Sequence, residues 1–361
     1  MPAPQVSASL PSFPIPSHLS SKGLHFLHSN VRSLLPKIPE VQQLLLRTKT
    51  AVFAASETWL DPSIGNGEIQ IPGFNVIRQD RNRNGGGVAL YIHENIAFNP
   101  RPDLAVDGME SVWVELLLPK SKGILVGVMY RPPNDSNFLS NLELSLSKIS
   151  EGSEFYILGD MNIDFSRTSS MLNRYREILD DAGCEQVVSE PTRITPTSAS
   201  IIDHIVTNMG EMIPTRGVMV GGFSDHLITY CTRRMSRQVF SGSLFRRARS
   251  LKNYSKEVLV NELSKIDWSA VLRSDDVNFC LAEFRKLFMS AVDKVAPFRE
   301  IRVKKRSNPW MNAHILAGIR KRDGLFSRFR KDRNNSDVYR DYCRVRNAVQ
   351  SRQKRHFLDV V

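Results

Sequence analysis

Asn30, Glu57, Tyr130, Asp160 with Asn162, Asp203, and Asp225 with His226 are polar residues that each stand just after or within a short apolar run. Carboxylates, one imidazole, two carboxamides and a phenol are the parts needed to cleave a phosphate ester. That reaction requires a hard cation on the phosphate oxygens, a group that activates water, and donors for the charge that builds up in the transition state.

The runs are Leu24–Leu27, Ala51–Ala55, Ile124–Met129, Phe155–Leu158 and Ile201–Val206, rich in Val, Ile, Phe and Tyr. Such stretches read as buried strands. Laid side by side under helices, their ends converge on one rim, where residues distant in sequence can meet. Asp160 and Asn162 are two apart and share a face in extended chain. Asp203 and His226 suit an orienting pair, in which a buried carboxylate fixes the tautomer of the imidazole and raises its basicity. His204 points to the opposite face and is read as structural. Taken singly, each residue has a plain reading as a solvent-facing Glu, an Asp-x-Asn turn or a core Tyr; only the set argues for a site. The lack of a His/Cys cluster speaks against zinc, and Mg²⁺ needs only one or two carboxylates.

The order Ser56-Glu57-Thr58-Trp59, Gly159-Asp160-Met161-Asn162, Ser224-Asp225-His226 resembles the endonuclease/exonuclease/phosphatase superfamily. Asn30-Val31-Arg32, Gly85-Gly86-Gly87-Val88-Ala89, Tyr130-Arg131-Pro132-Pro133, Pro191-Thr192-Arg193 and Ile202-Asp203-His204 narrow the resemblance to the endonuclease domain of a jockey-like, LINE-type non-LTR retrotransposon, over roughly residues 22–232. The resemblance implies an α/β fold: a two-sheet β-sandwich flanked by helices, followed by a basic α-helical extension. It also implies Mg²⁺, with Mn²⁺ able to replace it, held by Glu57 with help from Asp225 and Asn30. Asp160 then activates or orients water, Asn162 and Tyr130 donate to the phosphate, and the His226 imidazolium, paired with Asp203, stabilises the pentacovalent state. Thr192 and Arg193 are expected to contact DNA. The implied activity is a nick in target DNA that leaves a 3′-hydroxyl primer for retrotransposition. Element RNA and a reverse transcriptase domain outside this chain are the further partners. The alternatives are a repair-type or other phosphodiesterase member of the superfamily, or a catalytically silent nucleic-acid-binding relic.

Charge is divided unevenly along the 361 residues: residues 1–232 carry 18 Lys+Arg against 24 Asp+Glu, and residues 233–361 carry 31 against 13. A basic segment beside an acidic catalytic unit is the electrostatic footprint of a nucleic-acid partner. Lys304, Lys305 and Arg306 form its densest run and are expected to bind nucleic acid. Three units follow: a disordered Pro/Ser-rich tail over 1–21, a catalytic domain over 22–235, and a basic helical connector over 236–361 that would precede a polymerase, so that the whole reads as a truncated element. A chain ending near Met235 is expected to keep catalysis. Helices are expected over 38–47, 138–149 and 171–182, with Gly183 as a C-terminal cap, and only helices beyond residue 250. The four cysteines are scattered, which suits free thiols in a reducing compartment. No signal peptide or membrane span is recognisable, so a nuclear or cytoplasmic protein is expected.

Overall fold

The computed structural model of the chain describes residues 23–119, 121–222, 224–235, 245–252, 254–272, 275–302 and 312–358. The tail expected over 1–21 and the run Lys304, Lys305 and Arg306 lie outside the described residues. The chain forms two compact units, Met1–Phe240 with Ser307–Val361, and Ser241–Arg306.

In chain order the first unit contains β1 (Leu24–Asn30), α1 (Ile38–Arg47), β2 (Thr50–Ser56), β3 (Phe74–Gln79), β4 (Val88–His93), β5 (Ala97–Pro100), β6 (Glu110–Leu117) and β7 (Ile124–Tyr130). It continues with α2 (Phe138–Ser147), β8 (Glu154–Asp160), α3 (Ser170–Asp181), β9 (Glu185–Gln186), the small hairpin β10 (Arg193–Ile194) and β11 (Ala199–Ser200), β12 (Asp203–Thr207), β13 (Thr215–Met219) and β14 (Ile228–Arg233). Two six-stranded sheets result, in the orders β13-β14-β1-β2-β4-β3 and β5-β6-β7-β8-β12-β9. This is the expected two-sheet sandwich with helices outside.

The apolar runs are continuous because both faces of these strands are covered. Side chains alternate along a strand with period two. In β7, Ile124, Val126, Val128 and Tyr130 enter the core between the sheets, while Leu125 and Met129 pack outward under α2 and α3. In β1, Leu24 and Phe26 face inward and Leu27 faces outward beneath α1. The caps are local. Ser169 accepts from Leu172 N at the start of α3, and Gly183, at φ +62°, lets Cys184 N donate to Leu179 O at 2.9 Å, the left-handed helix stop that glycine favours.

The second unit holds β15 (Phe245–Arg249), α4 (Lys256–Ser264), α5 (Val277–Val295) and β16 (Phe298–Arg302). Asp276 caps α5 by accepting from Asn278 N at 2.9 Å. The expectation of helices alone beyond residue 250 is corrected here. Pro297 ends the helix, and Phe-Arg-Glu-Ile-Arg alternates with strand period, so residues 298–302 pair antiparallel with 245–249.

The last two helices, α6 (Ala313–Lys331) and α7 (Ser336–Leu358), belong to the first unit. The compact units therefore do not divide at residue 235. The reason is that Leu325, Phe326, Phe329 and Tyr342 bury themselves against Ile194 and Leu227 of the sandwich. Among the described residues no helix is long and apolar enough to cross a membrane.

Gly159 marks the tightest strand contact beside the rim, because a Cβ there would stand 2.0 Å from Met129 O. Gly159→Ala must push β7 and β8 apart. It is expected to lower stability by about 1–3 kcal/mol or more, and a urea unfolding midpoint equal to that of the parent protein would contradict this packing.

Candidate active site

Register and period together build the site. β1 runs parallel to β2 with Asn30 opposite Ser56, and β7 runs parallel to β8 with Tyr130 opposite Asp160. All four strands end at one rim. β12 is antiparallel to β8 and begins there, with Asp203 opposite Asp160. β14 is antiparallel to β1, which brings His226, two residues before it, to the same edge. Counting by twos from the inward residues Phe26, Ala54, Leu158 and Ile205 places His28, Asn30, Ser56, Asp160 and Asp203 on the inner faces.

At the rim Asn30 Nδ2 donates to Asp160 Oδ2 at 2.8 Å, and Asn162 N donates to Asp160 Oδ1 at 3.2 Å. Asp203 Oδ2 lies 2.8 Å from His226 Nδ1, and Asp160, Asp203 and His226 each offer a ligand atom within 4.8 Å of the others. Ser224 Oγ ties this loop to β1 by donating to Asn30 O at 2.6 Å, and His226 N donates back to Ser224 Oγ at 3.1 Å.

The charges follow from burial and partners. Burial alone would lower the His226 imidazole; the ion pair and hydrogen bond with Asp203, with Asp160 and Asp225 nearby, overcome it and raise the pKa to about 9. Burial also opposes ionisation of Asp203, yet the His226 charge and hydrogen bond hold it below the usual carboxylate range. Asp160 is pushed upward by burial and by the Asp203 charge. His28 is the counter-case: burial drops it to about 4, so it stays neutral, with Nε2 3.0 Å from Ser56 Oγ and Nδ1 3.8 Å from Asp203 Oδ1.

Glu57 sits one residue beyond β2 at φ +57°. Its Oε2 accepts from the Trp59 indole and, at 3.5 Å, from Gly86 N. The Tyr130 phenol, raised well above its ordinary value by burial and by its hydrogen bond to Glu57, stays protonated as a donor. The glycine run supports this loop: Thr58 N donates to Gly87 O at 3.1 Å and Trp59 N to Gly86 O at 2.9 Å. At Gly87, φ +82°, a Cβ would lie 2.5 Å from Thr58 Oγ1.

Asp225 and Arg193 are paired with each other, and Thr192 stands away from its expected role. Asp225 is gripped by Arg193, whose Nε donates at 2.8 Å, and by Arg32, whose Nη1 donates at 3.3 Å. Arg193 is thus bound to the site loop while 40% of its side chain remains exposed. Thr192, expected to touch DNA, is buried; its hydroxyl oxygen accepts from Ile202 N at 3.1 Å and Asp203 N at 3.0 Å, so it supports Asp203. His204 is structural as expected, stacked on Tyr175 with ring centroids 5.6 Å apart. Two contributors escaped the sequence reading. His28 lies two residues before Asn30, and the strand period signals it. Arg131, also buried, braces the loop after β8 by donating to Asn162 O at 3.3 Å.

The pattern of one family matches residues 27–226, more than half of the chain. The chain belongs to the endonuclease/exonuclease/phosphatase family. Members of this family are metal-dependent hydrolases, nucleases and phosphatases among them. An AP endonuclease from Leishmania major, LMAP, is similar at 14% identity and TM-score 0.51, over 60% of this chain and 89% of that one. The endonuclease domain of TRAS1, a telomere-specific non-LTR retrotransposon, aligns at 16% identity and TM-score 0.49, over 59% of this chain and all of that one. A 3′-5′ exonuclease from Neisseria meningitidis aligns at 17% and 0.48, over 59% and 100%. No curated protein matches the chain significantly. The family's divalent cation suits the donors present, since carboxylate and carboxamide oxygens with a phenol and no thiolate favour a hard ion.

Thr192→Val removes the acceptor of two buried amides, and an unsatisfied buried group costs about 1–3 kcal/mol. The variant is expected to lose that stability in urea unfolding, with Thr192→Ser close to the parent protein. Equal stability of all three would show that the hydroxyl does not hold Asp203 in place.

Proposed function

We propose that this chain is a Mg²⁺-dependent DNA endonuclease that nicks one strand and leaves a 3′-hydroxyl. The observation that carries the reading is the buried Asp203–His226 pair at 2.8 Å, set beside Asp160 at the common rim of both sheets. With Nδ1 bonded to Asp203, Nε2 is the nitrogen left for a phosphate oxygen. The imidazole, charged through neutral pH, donates to the charge that develops there. Asp160, fixed by Asn30 and Asn162, accepts the proton of the attacking water, a role suited to a carboxylate whose pKa is drawn toward neutrality. Tyr130 and Asn162 orient the phosphate.

Glu57 and Asn30 would hold the cation. Asp225 contributes negative charge nearby while ion-paired. When bound, Mg²⁺ neutralises phosphate oxygens and stabilises the leaving oxygen. DNA is favoured over lipid or sugar phosphates by the excess of Lys and Arg over Asp and Glu beyond residue 232, and Lys304, Lys305, Arg306 and Arg193 are assigned to backbone contacts. The priming role in retrotransposition, with element RNA and a polymerase domain as partners, rests on the ordered motifs of the sequence. A repair nuclease of the same family would instead cut abasic duplex in preference to intact plasmid.

Relaxation of supercoiled plasmid by the purified chain is expected with Mg²⁺ and not with chelator. Asp160→Ala and His226→Ala should each reduce it at least about 100-fold while remaining folded; near-normal nicking by either would sink the assignment. Glu57→Gln should move the midpoint of a Mg²⁺ titration of the nicking rate upward, and an unchanged midpoint would remove Glu57 from the ligands.

A further inference from the structure

The loop that carries Asp225 and His226 is framed by residues that pack against the α6–α7 hairpin. Leu227 follows His226 directly, and Ile194 follows Arg193, which holds Asp225. Both are buried in one cluster with Leu325, Phe326, Phe329 and Tyr342. At the other end of the loop, Gly222 adopts φ +72°, and a Cβ there would stand 2.1 Å from the Arg322 guanidinium. Gln350 Nε2 on α7 donates to Gly222 O at 3.3 Å.

Arg322 is only 3% exposed, although it belongs to the most basic part of the chain. Its Nη1 donates to Glu40 on α1 at 3.1 Å, and its Nε to Asp323 at 2.9 Å. A guanidinium buried in this way does not meet solvent or a nucleic-acid backbone. It spans α6, α1 and the loop, and the glycine at 222 leaves the room it occupies.

We propose that the α6–α7 hairpin is a positioning element of the active site, with Arg322 as its key residue, setting where His226 stands against Asp203 and Asp160. On this basis a chain ending near Met235 does not retain full activity, contrary to the expectation from sequence. The mechanism is steric and electrostatic: the hairpin clamps both ends of the loop, and the Ser224 and Thr192 hydrogen bonds align His226 between them. The inference rests on the reading of His226 as the donor to phosphate in a DNA nick.

The test uses the full chain and two variants, Arg322→Met and the double variant Glu40→Gln with Arg322→Met. The double change removes the buried Glu40–Arg322 pair together, a substitution that commonly restores stability where breaking one partner loses it, and Asp323, 14% exposed, keeps access to water. Both variants are expected to lower kcat for nicking by about 10- to 100-fold, the cost of misplacing a catalytic group by an ångström or less, with KM for DNA unchanged. Only the single variant should melt markedly lower. Independently of activity, the amides of His226 and Leu227, which donate to Ser224 Oγ and Thr192 O, should exchange with deuterium faster in both variants, while those of β1 and β2 keep their protection. If the parent protein does not nick, the endonuclease reading falls and the exchange result alone decides the inference. A double variant with unchanged exchange at His226 and Leu227 overturns it, as does one that nicks at the parent rate. Should an Arg322 variant not fold, Phe326→Leu, which thins the hairpin core without stranding a charge, is read by the same two criteria.

Discussion

Two carboxylates, Asp160 and Asp203, stand directly opposite each other on neighbouring strands, and both are buried. Like charges in that position repel, and the low dielectric of the interior strengthens the repulsion. The rest of the rim is the compensation. Asn30 and the Asn162 amide donate to one carboxylate; the His226 imidazolium neutralises the other, and Thr192 receives the Asp203 amide. Each of these groups comes from a different strand end, so the sandwich must bring β1, β8, β12 and the approach to β14 to one edge. The remaining negative charge at that edge is what recommends it to a divalent cation.

Two histidines on the same carboxylate show how far environment sets the chemistry. His226 faces both carboxylates and keeps its proton, whereas His28, buried deeper on β1, is neutral. Strain is concentrated in the same place. Among the described residues the non-glycine positions with positive φ are Arg32, Ser33, Glu57, Trp59 and Asn162, all in loops that leave the rim. Each costs roughly 1–3 kcal/mol. Backbone hydrogen bonds such as Ser33 N to Glu57 O at 2.8 Å and Leu34 N to Thr58 O at 2.9 Å lace the first two of these loops together and hold them there.

Much of this was readable from residue types. Continuous Val/Ile/Phe runs announced strands covered on both faces, and Gly183, Pro297 and the helix caps behaved as their chemistry dictates. Asn30, Tyr130, Asp160, Asp203 and His226 do meet at one rim, because strand ends converge wherever parallel neighbours share a direction. What was not readable depends on contacts across long separations in the chain. Thr192 looked like a surface turn because nothing local says that its hydroxyl receives the Asp203 amide. The pairing of Asp225 was hidden because its two arginines are 32 and 193 residues away. The C-terminal helices looked like a separate basic arm, because the apolar stripe of α6 does not reveal that its partner surface is Leu227 and Ile194. Strand β16 was hidden by its brevity, five residues between helices.

The charge on His226 is the most direct gauge of this account. In the folded protein with chelator present, its ring resonances should titrate near a pKa of about 9, above the ordinary 6.5. A group raised in this way is protonated throughout the neutral range and contributes stability that is lost as pH rises through its folded value. Asp203→Asn should return the titration toward the ordinary value. A His226 that titrates at or below 6.5 in the parent protein would contradict the buried carboxylate pair as the organising interaction of the site.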